Sequence, residues 1–134
     1  MMVQHPENIL LIAMTDTICK NELVYTLEQE NYHFLFAETG EEVIRAFAEH
    51  PEINLLIINI NLPVINGIET IRIIRQMDAL VPVILLVAFI NLQSLRLAQN
   101  IGCNEILQTP VDPKTLEAII MKYLPIHCIY NQSI

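Results

Sequence analysis

Two kinds of segment alternate along the chain: short apolar runs without a period, and longer stretches in which apolar residues recur at helical spacing. The runs at 9–14, 33–38, 55–58, 83–87 and 105–108 are predicted strands, each apolar on consecutive positions as a strand covered on both faces requires. The stretches 17–30, 41–50, 68–77 and 92–100 are predicted helices. A fifth helix starts behind Asp112, a capping residue, with Pro113 in its first turn. Its apolar stripe is Leu116, Ile119, Ile120, Tyr123 and Leu124. Strict alternation of strand and helix predicts a doubly wound α/β domain: a five-stranded parallel sheet, right-handed crossovers, and helices on both faces. In such a sheet functional groups gather beyond the carboxyl ends of the strands, so the residues that follow each strand are the candidates.

Length and composition narrow this picture. The 134 residues suit one domain, and 53% hydrophobic against 16% charged residues excludes a disordered chain and leaves apolar surface for partners. The domain is expected over 1–124, with 125–134 a C-terminal tail or the start of a linker. The longest apolar stretch, 81–90, is about half of the ~20 residues a membrane span needs, and Pro82 interrupts it. No basic flank precedes the first apolar run, so no export signal is expected and the protein is expected in the cytoplasm. Cys19, Cys103 and Cys128 lack metal-ligand spacing and fit buried thiols in a reducing compartment, and His5, His33, His50 and His127 show no ligand spacing either. A net charge of −8 with seven scattered basic residues argues against direct nucleic-acid binding.

The run Asn54-Leu55-Leu56-Ile57-Ile58-Asn59-Ile60-Asn61-Leu62-Pro63, followed by Asn66-Gly67, is the most distinctive piece of the chain. Residues 37–40 and 82–88, Gly102 and Thr109-Pro110 stand in fixed order around it. In these landmarks, over residues 9–124, the sequence resembles the response-regulator receiver family of two-component signalling. The resemblance implies a flavodoxin-like (βα)5 fold with strand order 2-1-3-4-5. It further implies a phosphotransfer site built from an acidic pair after the first strand, an aspartate after the third, a hydroxyl after the fourth and a lysine after the fifth. Carried onto this chain those places are Ala13, Met14, Asn59, Val87 and Thr109, and all five are substituted.

Each substitution removes a specific capacity. The neutral amide of Asn59 is a far weaker nucleophile than a carboxylate. Ala13 and Met14 bring no side-chain oxygen to a hard divalent cation, so no metal is expected. Thr109 can hydrogen-bond but cannot neutralise a phosphoryl oxygen, and Val87 has no hydroxyl. Loss of the lysine together with the acids is self-consistent, because a cleft free of carboxylates would leave a buried ammonium unpaired. The chain has three aspartates, Asp16, Asp78 and Asp112, and none directly follows a predicted strand; Asp16 is expected to cap the first helix.

Thr109-Pro110 matches the family's cis-peptide position, so a cis bond is expected at Pro110. Asn66-Gly67 is expected to form a turn with a positive φ. Phe89, Ile90, Leu92 and Leu95 are placed at the start of the fourth helix. With Ile106, which stands where the family usually has a switch aromatic, they are candidates for an interaction surface on the helix 4, strand 5, helix 5 face. The expected function is regulation through protein contacts without phosphorylation. The domain would bind a partner constitutively, or self-associate to hold an attached downstream effector domain in register. Enzymatic activity, a cofactor, and nucleic-acid or membrane partners are not expected. Two other classes stand beside this reading: a small-ligand sensor using the altered pocket, and a receiver that accepts phosphoryl groups at an unusual residue.

Overall fold

The computed structural model describes residues 8–28 and 31–124. The expectation for 125–134 lies outside the described residues, as do Cys128, His5 and His127. Five strands and five helices alternate: β1 (Asn8–Ala13), α1 (Thr17–Leu27), β2 (Tyr32–Ala37), α2 (Gly40–Glu49), β3 (Leu55–Asn59), α3 (Gly67–Met77), β4 (Val83–Val87), α4 (Leu92–Ile101), β5 (Glu105–Gln108) and α5 (Pro113–Tyr123). The sheet is parallel in the order β2-β1-β3-β4-β5, the predicted doubly wound arrangement.

The sheet separates two apolar cores by the two-residue alternation of its strands. Leu11 and Ala13 join Leu56, Ile58, Val83 and Leu85 on the face covered by α2, α3 and α4. Leu10, Ile12 and Met14 join Leu55, Ile57, Ile84 and Leu86 on the face covered by α1 and α5. β1, β3 and β4 are therefore apolar at every position but Asn8 and Asn59, at the two strand ends. The edge strands depart from that expectation: only Ala37 of β2 is buried, Phe36 is 50% exposed, and no residue of β5 is fully buried, because each edge strand has one neighbour instead of two.

Side-chain caps start every helix. Asp16, Thr39, Asn66, Asn91 and Asp112 each accept a hydrogen bond from the backbone N–H three residues ahead, at 2.8–3.1 Å. Asn66 is thus a cap with φ −69°, and the positive φ expected at Asn66-Gly67 falls instead on Val64, at 69°. There the Ile65 N–H donates to the Pro63 carbonyl at 2.8 Å, a three-residue turn. Gly67 is needed for closeness, not for φ: a Cβ would stand 2.7 Å from the Asn59 carbonyl oxygen and 2.8 Å from the Ile60 Cα. That close packing seats α3 directly behind the tip of β3.

Candidate functional site

The carboxyl ends of β1, β3 and β5 bound an open cleft of about 310 Å³ walled by Asp16, Ile18, Cys19, Glu22, Asn59, Thr109 and Pro110. Sheet register brings the five sequence-nominated residues to one end of the sheet. Ala13 is level with Ala37 and Ile58, Asn59 with Leu86, and Val87 with Gln108, one residue short of Thr109. Only Asn59 and Thr109 reach the cleft wall. Ala13 and Met14 have no exposure and Val87 has 4%; Ala13 and Val87 pack in the α2/α3/α4 core and Met14 in the other. The thioether that follows β1 is core, so a small-ligand site using the altered pocket would be lined by two of the five side chains, Asn59 and Thr109.

Both polar handles are tied to the backbone. Asn59 Oδ1 accepts from the Asn61 N–H at 2.9 Å, bracing the first turn of the β3–α3 loop. Thr109 donates to the Val87 carbonyl through its N–H at 2.8 Å and more weakly through Oγ1 at 3.4 Å, and the Thr109–Pro110 bond is cis.

The cleft is not free of carboxylates, which corrects a second expectation. Asp16 and Glu22 stand on its α1 side, and Asp16 is at once a helix cap and a wall residue. Burial pushes the Cys19 thiol above its ordinary range, and the charges of Asp16 and Glu22 push it further, so it stays protonated at neutral pH. Among the described residues no group of three His, Cys, Asp or Glu side chains is placed to hold a metal ion. The sequence did hold a sign of the α1 wall: Ile18 and Glu22 are four residues apart and share a helix face.

The second candidate surface lies beyond the end of β4. Phe89 and Ile90 precede the Asn91 cap and so belong to the β4–α4 loop instead of α4, which Leu92 opens. The Ile90 N–H donates to Gln108 Oε1 at 3.0 Å, fixing this loop to the end of β5. Phe89 is 77% exposed and Leu92 63%, with Ile90 and Leu95 at 39% and 38%. Ile106 is half-buried and packs on the α2/α3/α4 core.

Comparison with known proteins gives one answer. A family model described as the response regulator receiver domain matches residues 10–121. The chain is 28% identical over 102 residues to the alkaline phosphatase synthesis transcriptional regulatory protein PhoP of Bacillus subtilis, covering 76% of this chain and 42% of that one. It is 31% identical over 107 residues to the aerobic respiration control protein ArcA of Escherichia coli, covering 80% and 44%. The chain thus spans less than half the length of either regulator. A chain in the co-crystal structure of the Saccharomyces cerevisiae histidine phosphotransfer signaling protein Ypd1 with the receiver domain of its downstream response regulator Ssk1 superposes with a TM-score of 0.81. That match has 25% identity and covers 88% of this chain and 89% of that one. Among the described residues no helix is long and apolar enough to cross a membrane.

Proposed function

The chain belongs to the response regulator receiver domain family, the signalling module of two-component systems, and from that membership we propose that it regulates by protein contact without being phosphorylated. The observation that carries this reading is the state of the third-strand tip. Asn59 stands where the family's phosphoacceptor aspartate stands, and its amide oxygen is bonded to the backbone of its own loop. The divalent cation the family uses fits poorly here: Ala13 offers no oxygen, Met14 is buried in the apolar core, and Asp16 Oδ1 accepts from the Cys19 N–H.

The output surface is the face around the start of α4. Residues 79–95 contain no charged side chain in a chain of net charge −8, so this is where a second copy approaches with least repulsion. Phe89 and Leu92 supply apolar area that a two-fold contact can share between copies. In the reading favoured here the domain self-associates through this face, in the cytoplasm, and holds an attached effector in register. Light scattering on the native chain and on Leu92→Glu tests it. The native chain is expected to be dimeric, and the variant, carrying a new exposed charge, monomeric yet equally folded. A native chain that stays monomeric at high concentration would refute self-association through this surface.

A further inference from the structure

Among the described residues β2 pairs with β1 alone, in unbroken parallel register from Tyr32 beside Asn8 to Ala37 beside Ala13. The Met14 N–H donates to the Ala37 carbonyl at 3.0 Å, so the backbone of Ala37 faces β1. The two-residue alternation of a strand then turns the N–H and C=O of Phe34 and Phe36 outward. An open row of donors and acceptors invites a further strand, and edges are ordinarily guarded by a lysine, a proline or a bulge. Tyr32-His33-Phe34-Leu35-Phe36-Ala37 has none of these. Beside this edge lies a groove of about 290 Å³ walled by Leu35, Phe36, Glu42, Arg45, Glu49 and His50. Leu35 and Phe36 point to opposite faces of the sheet, so the groove opens along the edge itself. Glu42, Arg45 and Glu49 stand at i, i+3 and i+7 of α2, one stripe of the helix. Residues 38–52 carry Glu38, Glu41, Glu42, Glu49 and Glu52 against the guanidinium of Arg45. On the other side of the sheet Lys20 lies over the Phe36 ring at 5.3 Å, so the two sides of the edge differ in sign.

We infer that the β2 edge and the α2 groove take up an extended segment of another protein as a sixth strand, its side chains alternating between basic residues toward Glu42 and Glu49 and apolar residues toward Phe34 and Phe36. Backbone pairing with Phe34 and Phe36 supplies the affinity, and the alternation chooses the segment. The rings of Phe34 and Phe36 stack at 6.3 Å, and Phe36 is half exposed, which gives the apolar side chains an aromatic surface to cover. Charge selects the occupant. A second copy paired edge to edge about a two-fold axis would bring two glutamate-rich α2 stripes together, and an acidic strand would meet the same repulsion. Glu49 forms no ion pair or hydrogen bond among the described residues, so its carboxylate is open to a basic side chain.

The test is a titration of the isotope-labelled chain at physiological ionic strength with a synthetic peptide that alternates valine and arginine. Amide shifts are expected to concentrate on residues 33–37 and 42–49, with slowed hydrogen exchange at the amides of Phe34 and Phe36. Methylating every second peptide nitrogen, in each of the two frames, removes the donors that face β2 in one frame only. That frame is expected to bind about tenfold more weakly, as the loss of two hydrogen bonds of typical net strength requires. Glu49→Lys is expected to weaken the arginine peptide and to tighten its glutamate counterpart, while Leu92→Glu changes neither, which keeps this inference separable from self-association at α4. Shifts centred on α1 or α4, equal tolerance of methylation in both frames, or no shift at all would overturn it.

Discussion

Single residues set local strain and reactivity in the loops and helices of the domain. Val64 takes φ 69° with its side chain 80% exposed, in the loop that leads from Asn59 to α3. A β-branched residue in the left-handed region costs about 1–3 kcal/mol, and glycine relieves that while giving back roughly 0.5–1 in chain entropy. Val64→Gly is therefore expected to raise stability by about 1 kcal/mol in urea unfolding, and a loss of stability would contradict the strain. Cys103 is a second local case: burial pushes its thiol up to about 12, with Arg75 pulling slightly the other way. Such a thiol is almost wholly protonated at pH 8, so iodoacetamide should leave it unmodified in the native chain and label it once the chain is unfolded. Rapid native labelling would contradict the burial.

Among the elements, the helices rest on caps whose chemistry is readable in their pH response. Asp112 at the start of α5 accepts from the Thr115 N–H and Oγ1, and the backbone bond, then the hydroxyl, hold its carboxyl below the usual aspartate value. A folded pKa lying below the unfolded one, roughly 3.9, means a contribution present above that pH and lost as the pH falls through the depressed value. The stability gap between the native chain and Asp112→Asn should be open at neutral pH and close in acid; a gap independent of pH would remove the role of the charge. This cap was legible in the sequence, as were β4 and the α5 stripe, because Asp-Pro ahead of a helical stripe and an unbroken Val/Ile/Leu run each have one physical reading. The end of α1 at Leu27 was not: polar Glu28 continues the helical composition of Thr17–Leu27, yet it stands as the C-cap. Phe89 and Ile90 were assigned to α4 by their apolar character, yet the cap at Asn91 leaves them in the preceding loop.

Over the whole molecule, strand order and the gathering of Ala13, Met14, Asn59, Val87 and Thr109 at one end of the sheet followed from alternation and from the family landmarks. Which side chains face the cleft did not follow, because sequence cannot say that Met14 turns into the core beneath α1 or that Asp16 stands beside the cleft as well as capping. The molecule carries two exposed surfaces of opposite character, an uncharged one around Leu92 and an acid-rimmed cleft at the head of α1, on a receiver scaffold whose phosphotransfer residues we propose are replaced. Incubation with acetyl phosphate and Mg²⁺ followed by intact-mass measurement addresses that replacement most directly. The chain is expected to keep its mass and to gain no thermal stability from the cation, whereas a stoichiometric gain of one phosphoryl group would show that it still signals by phosphorylation.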